Sequence, residues 1–176
     1  MIKLSALLAL TGALVSAQTI PTRTQIYAAM TGQWTGHLEY RDYQSDERVM
    51  LPTWLDGKSS SDGNSVTFTY TYDDGPTKTV SEKSTIMIDP AARTYTTTSE
   101  GDHTSSAYQI EELTAGKHGI QITLSGHGTE NDKPVDVRIR IRIDRNLYRF
   151  EKETRVPGKD FQFRDAYILT RRTPPQ

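Results

Sequence analysis

Lys152 and Asp165 are the residues whose types and spacing offer chemistry in this chain. They lie in two successive stretches of alternating β-forming residues, Leu147–Arg155 and Phe161–Arg171. Alternate residues of a strand share a face. The first stretch therefore aligns Tyr148, Phe150 and Lys152, and the second aligns Phe161, Phe163, Asp165, Tyr167, Leu169 and Arg171. A loop of two or four residues around Pro157-Gly158 makes these faces coincide. Four residues set Lys152 directly opposite Asp165; two set them diagonally. An isolated charge in an apolar interior is costly, so the two are expected to pair. Such a pair can orient the polar group of a ligand in an otherwise apolar cavity. The alternatives are a structural ion pair and an inner face that meets water at an open end.

Other constellations carry less. His37, His103, His118 and His127 form no spaced ligand pair. Asp73-Asp74-Gly75 and Asn131-Asp132 lack the remaining ligands of a calcium loop. Thr123-Leu124-Ser125-Gly126 lacks the G-x-S-x-G elbow. Glu111 and Glu112 are adjacent, so in a strand they point to opposite faces. No catalytic residue, metal or cofactor is assigned. Arg138, Arg140, Arg142, Arg149 and Arg164 make a basic row, but Glu151 and Glu153 share its face. The row reads as an internally paired outer surface. Without interleaved aromatics it offers no platform for stacking bases, so no nucleic acid partner is expected.

The elements that must position these residues are strands. Ten are expected: Trp34–Asp42, Arg48–Leu55, Ser65–Tyr72, Lys78–Ile88, Arg93–Ser99, Ser105–Glu112, Gly119–Ser125, Val135–Asp144, Leu147–Arg155 and Phe161–Arg171. Turn chemistry punctuates them at Asp56-Gly57, Asp62-Gly63, Asp73–Pro76, Asp89-Pro90, Gly101-Asp102 and Pro157-Gly158. No connection is long enough for a crossover helix, so pairing is antiparallel. A two-residue loop at Arg145-Asn146 sets Asp136, Arg138 and Arg140 opposite Arg155, Glu153 and Glu151. It also sets Ile141 and Ile143 opposite Phe150 and Tyr148. A one-residue slip would scatter both faces.

Bulk properties bound the rest. Lys3, the uncharged run Leu4–Val15 and the small residues Val15-Ser16-Ala17 predict a signal peptide over residues 1–17. The run is too short for a membrane span, which takes about 20 residues. Cleavage leaves 159 of the 176 residues, the size of one domain. With no cysteine, the domain must rest on its own core. The expected location is periplasmic or extracellular. Charge is divided: 8 Lys and Arg face 16 Asp and Glu over Gln18–Asp132, against 12 and 6 over Lys133–Gln176. A short helical plug is expected over residues 18–31, the barrel over 32–172 and a frayed tail over 173–176.

Gly32-Gln33-Trp34 opens the first strand and Arg171 closes the last. With the helical segment before them, these residues resemble the calycin superfamily of lipocalins, fatty-acid-binding proteins and avidins. The resemblance implies an all-β, single antiparallel up-and-down barrel of about ten strands, with Arg171 over the Trp34 ring. The chain lacks the late Thr-Asp-Tyr motif of lipocalins and the helical lid of fatty-acid-binding proteins. The expected function is non-covalent binding of a small hydrophobic or amphipathic molecule. Tyr40, Phe68, Tyr70, Tyr148, Phe150, Phe163 and Tyr167 are expected to line the site, with Lys152 and Asp165 as polar anchors. Two rivals are an envelope interaction protein with a filled barrel, and a calycin-type isomerase or cyclase.

Overall fold

The computed structural model describes residues 19–42 and 44–172. The expected signal peptide and the C-terminal tail lie outside the described residues. Helix α1 (Arg23–Met30) precedes β1 (Gly32–Arg41), β2 (Arg48–Ser59), β3 (Val66–Asp73), β4 (Thr79–Asp89) and β5 (Thr94–Ser99). Then follow β6 (Ser105–Gly116), β7 (Gly119–Glu130), β8 (Lys133–Ile143), β9 (Leu147–Arg155) and β10 (Gln162–Arg171). Each strand pairs antiparallel with its chain neighbours, and β1 pairs with β10 to close the barrel. Loops leaving the odd-numbered strands gather at one end, the mouth. The other loops and α1 lie at the opposite end, the base.

The base is packed. Thr22 starts α1 with a capping box, its side chain accepting from the Gln25 amide while Gln25 accepts from the Thr22 amide. Ile26, Tyr27 and Met30 turn into the core. The Tyr27 hydroxyl accepts from the Ile88 amide at 2.8 Å and donates to the Asn64 carbonyl at 3.0 Å. Trp34, fully buried, donates its indole N–H to the Met30 carbonyl at 3.2 Å. Arg171 is its direct cross-strand partner, with the guanidinium 3.9 Å from the ring centre. The same guanidinium donates to the carbonyls of Ala29 (3.0 Å), Thr31 (2.8 Å) and Arg145 (3.0 Å). Two of these lie at the C-terminal end of α1, whose last carbonyls have no partner within the helix. Gly32, at φ +115°, has no room for a side chain: a Cβ there would meet Arg171 Nη1 at 2.6 Å.

Asp56-Gly57, expected to be a turn, lies inside β2. A Cβ at Gly57 would sit 2.5 Å from the Met30 carbonyl oxygen, so the glycine serves the approach of the helix rather than a reversal. Strands β6 and β7 run beyond their expected ends because their polar tips keep cross-strand partners, Gly116 with Gly119 and Glu130 with Lys133.

The β8–β9 register is the expected one, with Arg138 opposite Glu153, Arg140 opposite Glu151 and Ile143 opposite Tyr148. Arg138 binds Glu153 at 2.8 Å, and Arg140 bridges Glu153 at 2.7 Å and Glu151 at 3.1 Å. Arg149 takes the other oxygen of Glu151 at 2.7 Å.

Strand β10 departs from expectation. A bulge between Phe163 and Asp165 inserts Arg164 as one extra residue in the strand. On the base side of it, Asp165 stands opposite Lys152 and Tyr167 opposite Phe150, as expected. On the mouth side the faces exchange. Phe163 now stands opposite Glu153 on the outer surface, with the Arg48 guanidinium 3.9 Å over its ring. Phe161 lies between Arg138 (4.1 Å) and Arg155 (4.5 Å). The inward placement expected for Phe161 and Phe163 is therefore corrected. Arg164 also leaves the outer row. Its side chain is 14% exposed, donates to the Arg41 carbonyl and pairs with Glu130 at 3.3 Å inside the rim.

Candidate functional site

Above the packed base, the interior opens into a cavity of about 210 Å³. Six residues expected in the site line it: Tyr70 from β3, Tyr148, Phe150 and Lys152 from β9, and Asp165 and Tyr167 from β10. Phe68 is part of the packed core, its ring centre 5.8 Å from Tyr70 and 5.6 Å from Tyr148. Tyr40 stands opposite Asp165 across the β1–β10 seam but does not line the cavity. Phe163 is outside.

Sequence reading missed Tyr95, Tyr108 and Glu82, which also line it, together with Ser84, Ile86, Thr97 and Ile139. Tyr95 and Tyr108 are a cross-strand pair between β5 and β6, with ring centres 6.3 Å apart. The signal was present: Tyr95 is the one aromatic among the Thr and Ser of β5, and Tyr108 is the one aromatic of β6. Glu82 stands opposite Tyr70, on the same inner face.

Lys152 and Asp165 are directly opposed, yet they form no ion pair, and neither makes a hydrogen bond among the described residues. The expected pairing is corrected to a through-space interaction. Burial pushes the Asp165 carboxyl up to about 6, against the pull of Lys152 and Arg164, while Glu130 adds to the rise. Burial also holds Tyr70, Tyr95, Tyr148 and Tyr167 above the usual tyrosine range, so all four remain neutral hydroxyls. The Tyr72 and Tyr167 hydroxyls are 2.8 Å apart, and Tyr72 donates to Glu82 at 3.3 Å. This chain runs from the cavity wall to the mouth.

Access follows from strand length. β5 has six residues between neighbours of 11 and 12. It pairs with β4 only along Ser84–Asp89, so the Thr79–Glu82 part of β4 stands without a β5 partner. Glu82 points inward by parity and is nevertheless exposed, which marks this notch as an opening into the cavity. The arrangement can desolvate a small molecule against aromatic rings and present it with one cation, carboxylates and phenolic hydroxyls.

No family model matches the chain, and no curated protein matches it. Among solved structures, the chain is similar to the crystal structure of Rv2717c from M. tuberculosis at 15% identity and a TM-score of 0.51. The match covers 88% of this chain and all of that one, and it is a likeness of fold.

Proposed function

We propose that the chain is an exported, calycin-like binding protein that holds one small amphipathic molecule in the mouth-side half of the barrel. One observation carries this reading: two opposite charges face each other in a tyrosine-lined cavity without an ion pair or a hydrogen bond to either. Desolvating an ionised group without a partner costs several kcal/mol, so a fold assembled for stability alone would pair or replace them. The cavity is small. Its 210 Å³ equals the liquid volume of about seven waters, below the roughly 300–1,000 Å³ of drug-sized sites. A compact ligand fits it; a long acyl chain does not. The signal-like segment at residues 1–17 supports export.

The test is native mass spectrometry of protein purified from its own host. A co-purified small molecule is expected, and the folded Lys152→Met/Asp165→Asn variant is expected to lose it. If wild-type protein carries no molecule, or the variant retains it unchanged, the binding reading fails. A second reading draws on β2, where Met50 and Trp54 are 60% and 39% exposed on the outer surface. An interaction role through that face would survive loss of the cavity charges and fail on Met50→Ser with Trp54→Ser.

A further inference from the structure

Carboxylates outnumber cations in the cavity wall. Asp165 and Glu82 are its acids, and neither is in an ion pair among the described residues. Lys152 is the single cation of the lining. Both acids bear on one place. The Tyr72 and Tyr167 hydroxyls meet at 2.8 Å across the interior, from β3 and β10, and Tyr72 donates to Glu82 at 3.3 Å. The hydrogen between the two phenols therefore comes from Tyr167, so both phenolic hydrogens are spent and lone pairs remain. Burial is the main cause that holds Tyr72 and Tyr167 above the usual tyrosine range, and Asp165 and Glu82 each add to the rise in both. Resting on the binding reading above, we propose that the ligand is a compact protonated amine. Its ammonium sits beside Asp165 and Glu82 at the Tyr72–Tyr167 pair, and its carbon skeleton lies against the rings of the wall.

The charge balance favours a monocation. Lys152 against Asp165 and Glu82 leaves one net negative charge on the lining. An ammonium neutralises it, whereas a neutral ligand would leave that charge desolvated and an anion would double it. Lys152 does not fill the role itself. It stands on β9, opposed to Asp165 without bonding it, while Glu82 stands on β4 opposite Tyr70. Arg164, next to Asp165 on β10, is engaged by Glu130 at 3.3 Å, and Tyr40, opposite Asp165 on β1, is a phenol. The rings act in the same direction. Tyr167 lies 4.8 Å from Tyr70 and 5.8 Å from Phe150 between ring centres, and the face of a neutral aromatic ring attracts a cation. An ammonium brings N–H donors and no acceptor, which suits a wall of carboxylates and phenolic lone pairs. Glu82, exposed in the notch, meets the amine on entry, and Asp165 receives it within.

Titration calorimetry of the mature chain with benzylammonium, benzamide and benzoate tests this at pH 8, where Asp165 is ionised. Benzylammonium is expected to bind best, about tenfold more tightly than benzamide. Asp165→Asn is expected to weaken it about tenfold, and Glu82→Gln, at the exposed entrance, about threefold. Lys152→Met, checked for folding by circular dichroism, is expected to bind it at least as tightly as wild type, because a like charge is removed. A molecule co-purified in native mass spectrometry is expected to carry an amine. Four results each overturn the amine assignment and leave the binding reading standing: preference for benzamide or benzoate, unchanged affinity in both carboxylate variants, weaker binding by folded Lys152→Met, or a co-purified molecule without an amine. If none of the three probes binds and native mass spectrometry finds the protein empty, both fall.

Discussion

Arg171 combines two roles that sequence parity alone could only half foresee. It covers Trp34, worth about 0.5–2 kcal/mol, and it supplies donors to the carbonyls at the end of α1. Arg171→Ala is expected to destabilise by about 2–3 kcal/mol and, in a Trp54→Phe background, to shift Trp34 emission to the red. Arg172→Ala, one position on, is expected to do neither. Asp165 behaves in the opposite sense. Its folded value of about 6 exceeds the usual 3.8, so the folded state binds the extra proton. The associated stability is full below about pH 4 and is lost as pH rises through 6. Asp165→Asn is therefore expected to be more stable than wild type above pH 6, by about 3 kcal/mol, and equal to it near pH 4. Urea melts across that range check this. A gain in stability joined to a loss of ligand would mark the carboxylate as retained for binding.

At the scale of the element, the outer face of β8 and β9 is a ladder of matched charges rather than a free basic stripe. Glu153 shows how close the pairing is: burial acts to raise its carboxyl, yet Arg138 and Arg140 hold it below the usual range. Wild-type protein is expected to bind heparin weakly at physiological salt. Glu151→Gln with Glu153→Gln should release Arg138, Arg140 and Arg149 and create binding that weakens steeply as salt is added. Retention on heparin by wild type equal to that of the double variant would refute the ladder. The β8–β9 register was legible because both faces carried information, opposite charges outside and aliphatic or aromatic residues inside. β10 was legible only as far as its bulge. Alternation counts residues in steps of one, and an inserted Arg164 flips Phe163 and Phe161 without any trace in composition.

At the scale of the whole molecule, the barrel is packed at the base and hollow toward the mouth. α1, Trp34, Phe68 and Tyr148 fill one half, and the short β5 leaves a notch in the other. Native-state hydrogen exchange is expected to follow this gradient. The amides of Thr79–Glu82, facing the notch, should exchange fastest among strand residues, while the centres of β7 and β8 approach global stability. Ligand should slow the rim and leave the base unchanged. Uniform protection of both halves would contradict the division.

By itself, the sequence determined a closed barrel of ten strands, the meeting of Trp34 with Arg171, and the inward placement of Lys152 and Asp165. The strands and the inward placement follow from alternation and turn residues, which are local or depend on neighbours in the chain; closure and the meeting of Trp34 with Arg171 were what the calycin resemblance of Gly32, Trp34 and Arg171 implied. Tertiary structure alone decided which inner residues border empty space and which are packed. It set the Tyr95–Tyr108 pair into the cavity wall, turned Phe163 outward, and held Lys152 and Asp165 opposed without an ion pair. The physical reason is that parity fixes the face of a side chain. Cavities and charge separations depend instead on bulges, strand lengths and the curvature of ten strands at once, which no single strand encodes.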